Sequence, residues 1–233
     1  MLEKEGYPFK SKEHSQRWSE FEKHGLTPKH TQRYLGMYKR PNDTDETVKR
    51  YMCPKTLMYQ FTDDFLESGI KISDKCCEML KEKPLHDWQN ENKKPYGIIG
   101  IMKDEGGRRN LAKCVAFKSK NRMNFQPLVA ITKEWEDWFI EEYDIRLADL
   151  YYEPYMFDRT GCRGCPFALH LQEELDTLAK FFPNELKVCE SVWKPVYDEY
   201  RRIGYRLRKP DGQMTLDDYL DKEENNVSTG DVL

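Results

Sequence analysis

The chain has 233 residues, of which 34% are charged, and its 38 Lys+Arg against 41 Asp+Glu give a net charge of −3. That balance carries no strong nucleic-acid signal over the whole chain. Aromatic residues make up 13% of the chain, enough for a core and too many for disorder throughout. No apolar stretch is long enough to span a bilayer, and the N-terminus lacks a hydrophobic signal region. We therefore expect a cytoplasmic protein without a membrane partner.

Residues 1–70 are polar and predicted to be mostly helical. One helix is expected to begin at Ser11, a good N-cap, and to end at Gly25. A second helical stretch is predicted over 56–69. Apolar side chains at helical spacing mark the inward faces of the two helices: Trp18 and Phe21 in the first, and Leu57, Phe61 and Phe65 in the second.

Residues 71–208 alternate short apolar runs with amphipathic stretches, a pattern typical of an α/β domain. Ser73 is a predicted N-cap for a short helix that ends before Pro84. Buried strands are predicted at the apolar runs 96–102, 114–117 and 127–131, the second including Cys114. The acidic residues 209–233 are expected to form a frayed C-terminal tail.

Two further helices are predicted after these strands. Thr132 would cap the first, and its aromatic residues Trp135, Trp138 and Phe139 are expected to pack into the core. Pro166 suits the first position of the second helix, whose apolar stripe includes Leu171 and continues to Phe182.

The cysteines supply the strongest functional signal. Cys76 and Cys77 are adjacent, and Cys162 and Cys165 form a CxxC pair with 84 residues between Cys77 and Cys162. In a chain without secretion signals, such thiols indicate metal ligands rather than disulfides. We expect both pairs to lie at helix N-termini, where the helix dipole lowers thiol pKa, and basic residues should add to this effect. Those basic residues are Lys75, Arg159 and Arg163.

Three interpretations of the four cysteines stay open on chemistry alone. Structural zinc takes four thiolates tetrahedrally, usually from two C-x(2–4)-C pairs. Adjacent cysteines on a helix diverge by about 100°, which suits the separate irons of a 4Fe–4S cubane better than one small ion. Unliganded core thiols are the third interpretation. A zinc-stabilised factor that modifies nucleic acid finds no support in the overall charge.

The segments "ISDKCCEMLKEKPL" and "RTGCRGCPF" resemble the iron–sulfur branch of the phosphoadenosine/adenosine phosphosulfate reductase family. The resemblance covers roughly residues 5–208. Within the family, the chain is similar to reductase-like proteins of bacteria and phages. It implies an α/β fold of the adenine-nucleotide α-hydrolase-like type with added helices. It also implies that one 4Fe–4S cluster, or zinc in the alternative, is held by Cys76, Cys77, Cys162 and Cys165.

The segment "GIIGIMKDEGGRR" resembles the family's strand and substrate loop, which carries the pattern G-x-x-x-x-E-x-x-x-R. The resemblance maps this pattern onto Gly100, Glu105 and Arg109, with Lys103 and Arg108 close by. It implies that this loop binds an adenine sulfonucleotide or a related anion. An electron donor would be a further partner, and the expected activity is that of a sulfonucleotide reductase or a sulfotransferase-like enzyme.

Two family features are missing from the sequence. The phosphate-binding loop S-G-G-x-D-S occurs nowhere, so the chain is interpreted as the C-terminal portion of the fold. The nucleophilic cysteine of the family's tail is also missing, because Cys189 is the only cysteine after Cys165 and is expected to be a core thiol. The alternative is therefore a non-catalytic, metal-stabilised module that partners a separate nucleotide-binding subunit.

Overall fold

The computed structural model describes residues 1–119, 122–157 and 161–209, with backbone alone for Arg50, Gly107, Arg108, Lys118, Ser119 and Arg122. The predicted acidic tail, apart from Lys209, lies outside this description. The chain divides into two compact units, which we call unit 1 (residues 1–78 and 157 onward) and unit 2 (residues 79–156). The segments 1–70, 71–208 and 209–233 remain a prediction about organisation along the sequence.

Unit 1 is helical. Its elements are α1 (Leu2–Glu5), α2 (Lys12–His24), α3 (Lys29–Tyr34), α4 (Asp45–Tyr51), a 3₁₀ helix (Lys55–Phe61), α5 (Asp63–Glu67), α6 (Lys75–Cys77), α9 (Leu171–Phe181), α10 (Pro183–Val192) and α11 (Lys194–Ile203). A π-helical segment follows α6 (Glu78–Glu82).

Unit 2 combines helices with a small sheet. Its elements are α7 (Lys83–Glu91), β1 (Tyr96–Ile98), 3₁₀ helices at Lys103–Glu105 and Gly107–Leu111, β2 (Val115–Ser119), β3 (Arg122–Phe125), a 3₁₀ helix at Pro127–Ala130, α8 (Lys133–Glu142) and a 3₁₀ helix at Asp149–Tyr151. The strand order is β1-β3-β2, with β1 parallel and β2 antiparallel to β3. The mixed α/β class expected from the sequence is confirmed.

Local sequence signals place α2 correctly. The Ser11 hydroxyl accepts a hydrogen bond from the His14 N–H at 3.2 Å, and Gly25 ends the helix with φ +59°. The inward side chains Trp18 and Phe21 are buried. The second predicted helix is instead divided into the 3₁₀ segment and α5, although Leu57, Phe61 and Phe65 are buried as expected.

The N-terminal strand-like segment is joined to the segment before the first cysteine pair. Tyr7 forms a parallel bridge with Ile72: the Tyr7 N–H donates to the Lys71 carbonyl at 2.8 Å, and the Ser73 N–H donates to the Tyr7 carbonyl at 2.8 Å. Phe9 and Ile72 are both fully buried. Burial of these side chains fixes the position of the chain that leads into Cys76.

A buried polar network crosses the core of unit 1. His14 is fully buried, with Nδ1 2.9 Å from the Tyr34 hydroxyl and Nε2 2.7 Å from Gln60 Oε1. Lys10 Nζ donates to the same Tyr34 hydroxyl at 3.0 Å. Burial and, to a lesser extent, the charge of Lys10 lower the pKa of His14 to about 3, against the opposing effect of the hydrogen bond to Gln60. His14 is therefore neutral in the folded chain near neutral pH.

Several predictions about unit 2 are wrong. The strand expected over 127–131 is a 3₁₀ helix, and β3 lies just before it. Thr132 caps α8 as predicted, but Trp135 and Trp138 are 44% and 48% exposed rather than buried. Cys114 is likewise exposed and precedes β2. The apolar pattern predicts that these side chains are buried, but the described part of unit 2 does not enclose them in a core.

Two prolines act differently from prediction. The helical chain does not stop before Pro84, which instead lies in the first turn of α7. Pro166 was expected to open a helix, but α9 begins only at Leu171. Proline fits both the end of one helix and the first turn of the next, so sequence alone does not distinguish these outcomes.

The buried His14 should make unit 1 sensitive to acid. Its pKa falls from the ordinary 6.5 to about 3 on folding, so its unfolded form binds the proton more tightly. Stability linked to His14 is complete above about pH 6.5 and is lost as pH falls toward 3. Urea unfolding followed by tryptophan fluorescence should show this loss, and His14→Gln should flatten it. An identical pH dependence in both proteins would contradict the assignment.

Candidate metal centre and basic loop

All four predicted ligand cysteines lie in unit 1. Cys76 and Cys77 are in the single turn α6, directly after the Tyr7–Ile72 bridge. The N-cap of α6 is Asp74 rather than Ser73, but the Ser73 hydroxyl accepts from the Lys75 N–H at 3.0 Å. Cys76 is buried and Cys77 is half-buried. The adjacent pair is therefore held at the end of a fixed segment.

Cys162 and Cys165 lie in a tight turn, with the Cys165 N–H donating to the Cys162 carbonyl at 3.1 Å. Gly164 has φ +60°, a conformation that L residues rarely adopt. A Cβ at this glycine would be 2.5 Å from the Tyr197 hydroxyl and 2.9 Å from Cys189 Sγ. The turn therefore requires glycine for both its backbone conformation and its close packing.

Side chains from the last three helices and the residues after α11 hold the turn by its backbone groups. The Tyr197 hydroxyl donates to the Gly164 carbonyl at 2.5 Å, and the Glu174 carboxylate accepts from the Gly164 N–H at 2.8 Å. The Pro166 carbonyl accepts from the Tyr200 hydroxyl at 2.9 Å and from Arg206 Nη1 at 2.7 Å. Buried backbone groups in a loop need such partners.

The two cysteine pairs are neighbours. A hydrogen bond with Cys77, burial, and the nearby Cys77 and Cys165 thiols raise the pKa of Cys76. Burial raises the pKa of Cys165 to about 11; the Phe167 N–H opposes that rise, while Cys162 and Cys77 add to it. The folded chain thus brings Cys76, Cys77 and Cys165 within electrostatic reach of one another.

The expectation of lowered thiol pKa is wrong for these two cysteines. Cys165 precedes α9 by six residues, and α6 is a single turn, so neither helix end offers the expected dipole. The nearby cations are also neutralised: Lys75 Nζ is 2.7 Å from Glu5, and Arg163 is paired with Glu185. Arg159 lies outside the described residues.

The arrangement matches a metal centre in donor type but not in finished geometry. Among the residues that the structure describes, no group of three or more His, Cys, Asp or Glu side chains is close enough to hold an ion. Thiolates are the ligands that zinc and iron–sulfur clusters prefer. The four cysteines lie in one unit and supply the donor type that such a group needs, while their present spacing does not form its coordination geometry.

The predicted anion-binding residues lie in unit 2. Lys103 and Glu105 are the ends of a 3₁₀ turn, where the Glu105 carboxylate accepts from the Met102 N–H at 3.1 Å and is paired with Arg109. Lys103 and the Arg109 side chain are exposed. The side chain of Arg108 lies outside the description. Glu105 therefore orients one guanidinium group at the surface.

Cys189 is a buried thiol, as expected. Its Sγ lies 3.6 Å from the Arg163 carbonyl, and burial raises its pKa. The side chains that hold the CxxC turn were missed from the sequence, since Glu174, Tyr197, Tyr200 and Arg206 lie 9 to 41 residues beyond Cys165. No local pattern marks them, because they meet the turn only through tertiary packing.

The chain matches the family model described as the phosphoadenosine phosphosulfate reductase domain over residues 15–168. That range contains the four predicted ligand cysteines and residues 103–109, which we call the basic loop. No curated protein and no solved structure gives a significant match.

The fold and the matched range define an adenine-nucleotide α-hydrolase-like α/β protein. The chain belongs to the phosphoadenosine phosphosulfate reductase family. No described helix is long and apolar enough to cross a membrane.

Replacing Gly164 should test how tightly the CxxC turn is packed. Gly164→Ala adds a Cβ at 2.5 Å from the Tyr197 hydroxyl, besides the cost of φ +60°. Gly25→Ala is the control, with φ +59°, ψ −144° and nothing within 4 Å of its Cβ. We expect Gly164→Ala to lose about 1–3 kcal/mol more than the control in urea unfolding, because overpacking adds to backbone strain. Equal losses of unfolding free energy in the two variants would show that the turn shifts without cost to accept the added methyl group.

Proposed function

We propose that this family member holds one 4Fe–4S cluster through Cys76, Cys77, Cys162 and Cys165. The observation that carries the proposal is that the Cys165 thiol helps to raise the pKa of Cys76 and the Cys77 thiol helps to raise the pKa of Cys165, although Cys165 lies 88 positions beyond Cys77. Adjacent thiols that diverge along a helix favour separate irons over one shared zinc ion. The cluster, when bound, would stabilise unit 1 by joining its two cysteine pairs.

The family membership supports an adenine sulfonucleotide, or a related adenylylated sulfur compound, as the substrate. In that function Arg109 and Lys103 would bind the anionic group, because exposed guanidinium and ammonium groups donate charge-assisted hydrogen bonds to phosphate and sulfate. Glu105 would orient Arg109 through their ion pair. Arg108 belongs to the same proposed set by sequence. The reaction class is sulfur transfer or reduction in sulfur metabolism, with an electron donor as partner.

A second candidate is a non-catalytic module that partners a separate nucleotide-binding subunit. The observation that favours it is the state of the last cysteine. Cys189 is buried and its raised pKa keeps it protonated, so it is a poor nucleophile. In this function the metal, iron–sulfur or zinc, would serve stability alone.

Metal content tests the proposed cluster. After anaerobic purification we expect about four irons and matching sulfide per chain, with broad visible absorbance. Cys76→Ser and Cys162→Ser should each lose the cluster, since a serine oxygen is a poor ligand for iron. Cys114→Ser and Cys53→Ser, outside the proposed set, should retain it. Stoichiometric zinc without iron would contradict the cluster and leave the metal-stabilised module.

Binding of adenosine phosphosulfate tests the basic loop. Calorimetry with the metal-loaded full chain should detect binding that Arg109→Gln weakens about tenfold or more, since a charged hydrogen bond to the anion is lost. Arg146→Gln is the control, because Arg146 is also exposed in unit 2 and paired with Asp149. Equal affinity in wild type and Arg109→Gln would contradict the role of the loop. No binding by wild type would favour the second candidate.

A further inference from the structure

One face of the unit 2 sheet is apolar at the paired positions whose side chains the structure describes. The pairing register aligns Tyr96 with Met123 and Phe117, and it aligns Ile98 with Phe125 and Val115. Residues paired across strands project from the same face of a sheet. The apolar face therefore consists of Tyr96, Ile98, Val115, Phe117, Met123 and Phe125.

This face is exposed. Tyr96 is 71% exposed, Ile98 79% and Phe117 78%. On the opposite face, a Cβ at Gly97 would lie 2.9 Å from Asn124 Oδ1 and 3.4 Å from Gln89 Nε2, so that Gln89 of α7 lies close to this face. A contiguous apolar patch of this kind usually marks a binding surface. The charge of the neighbouring residues indicates which kind of molecule binds this face.

The sequence that forms the sheet is strongly basic. Residues 93–122 contain nine Lys or Arg against two carboxylates, Asp104 and Glu105, which gives a formal charge of +7 within a chain of net charge −3. The basic residues are Lys93, Lys94, Lys103, Arg108, Arg109, Lys113, Lys118, Lys120 and Arg122. The count over the whole chain conceals this local excess.

Several of these basic residues gather at one end of the sheet. Lys93 and Lys94 precede β1, and Arg122 begins β3, which runs parallel to β1. β2 is antiparallel to β3, so the backbone of Lys118, near the end of β2, lies at the same end of the sheet. The side chains of Lys93 and Lys94 are exposed. These four residues, which we call the basic edge, thus lie at one end of the exposed aromatic face.

The positive charge of this sequence distinguishes between a protein and a nucleic acid as the molecule that binds the apolar face. Protein interfaces are depleted in lysine, whereas platforms for single-stranded nucleic acid combine a basic groove with exposed aromatic rings. Each of the three strands contributes one ring: Tyr96, Phe117 and Phe125. Strands lie about 4.8 Å apart, so Tyr96 and Phe117 are about 10 Å apart, with room for separate bases.

We propose that this face of unit 2 binds single-stranded nucleic acid, with Tyr96, Phe117 and Phe125 stacking on bases and the basic edge contacting phosphates. The inference goes beyond the proposed function and does not depend on the cysteine site. It requires no covalent step.

Fluorescence anisotropy with the full chain tests the inference directly. The probes are labelled oligo-dT and oligo-U of about 12 nucleotides, a length within the site sizes of such platforms, and a duplex of equal length. We expect micromolar binding of a single strand at about 50 mM salt, weaker binding of the duplex, and a log–log salt slope of about −2 to −3. Comparing the affinities for oligo-dT and oligo-U shows whether the protein prefers DNA or RNA.

Variants separate stacking from charge. Phe117→Leu keeps an apolar side chain, so the fold should persist, yet it should weaken binding about fivefold or more without changing the salt slope. Lys93→Gln with Lys94→Gln should reduce the slope by about 1. Tyr143→Ala is the matched control, because Tyr143 is a 62% exposed aromatic residue outside the sheet, and it should bind as wild type does.

Three results would overturn the inference. One is no binding of either single strand up to about 100 µM protein at low salt, far above the expected micromolar range. Another is binding that Phe117→Leu leaves intact. The third is a stable dimer, seen by light scattering, that Phe117→Glu dissociates, since the face would then be covered by a second copy of the chain.

Discussion

Residues 7–10 hold both cysteine pairs in place. Tyr7 is bridged to Ile72, four residues before Cys76, and the Lys10 N–H donates to the Tyr200 hydroxyl at 2.7 Å. That hydroxyl in turn donates to the Pro166 carbonyl, next to Cys165. A buried hydroxyl with donor and acceptor roles filled resists displacement, because breaking either bond strands a polar group. The metal site proposed for unit 1 therefore depends on a segment that supplies none of its ligands.

The two units differ in how they use apolar residues. Among the residues that the structure describes, 25 large apolar side chains are exposed, 18 of them in unit 2 and seven in unit 1. Unit 1 encloses a core with Trp18, Tyr197 and Tyr200 buried, and it satisfies polar groups such as His14 inside that core. Unit 2 places aromatic residues at its surface beside a local excess of positive charge. The two units thus place their large apolar side chains differently, mainly inside a core in unit 1 and largely at the surface in unit 2.

Local signals predicted what depends on local physics. Ser11, Gly25 and Thr132 were assigned correctly because caps act on neighbouring backbone groups. The mixed α/β class, the buried Cys189 and the family followed from patterns within the chain. The exposure of Trp135 and the raised pKa of Cys165 did not, because burial depends on distant packing. The side chains that hold the CxxC turn could not be predicted from the sequence either, because they belong to other elements and contact the turn only through tertiary packing.

The attachment of the CxxC turn to the last helix has a consequence for biosynthesis. The turn depends on Tyr197, Tyr200 and Arg206, which are translated after both cysteine pairs. At roughly 5–20 residues per second, Cys77 leaves the ribosome on the order of 10 s before those side chains exist. A nascent chain that ends soon after the second cysteine pair therefore lacks the side chains that hold the CxxC turn, and the metal site proposed for unit 1 would be completed only after residues 197–206 are made.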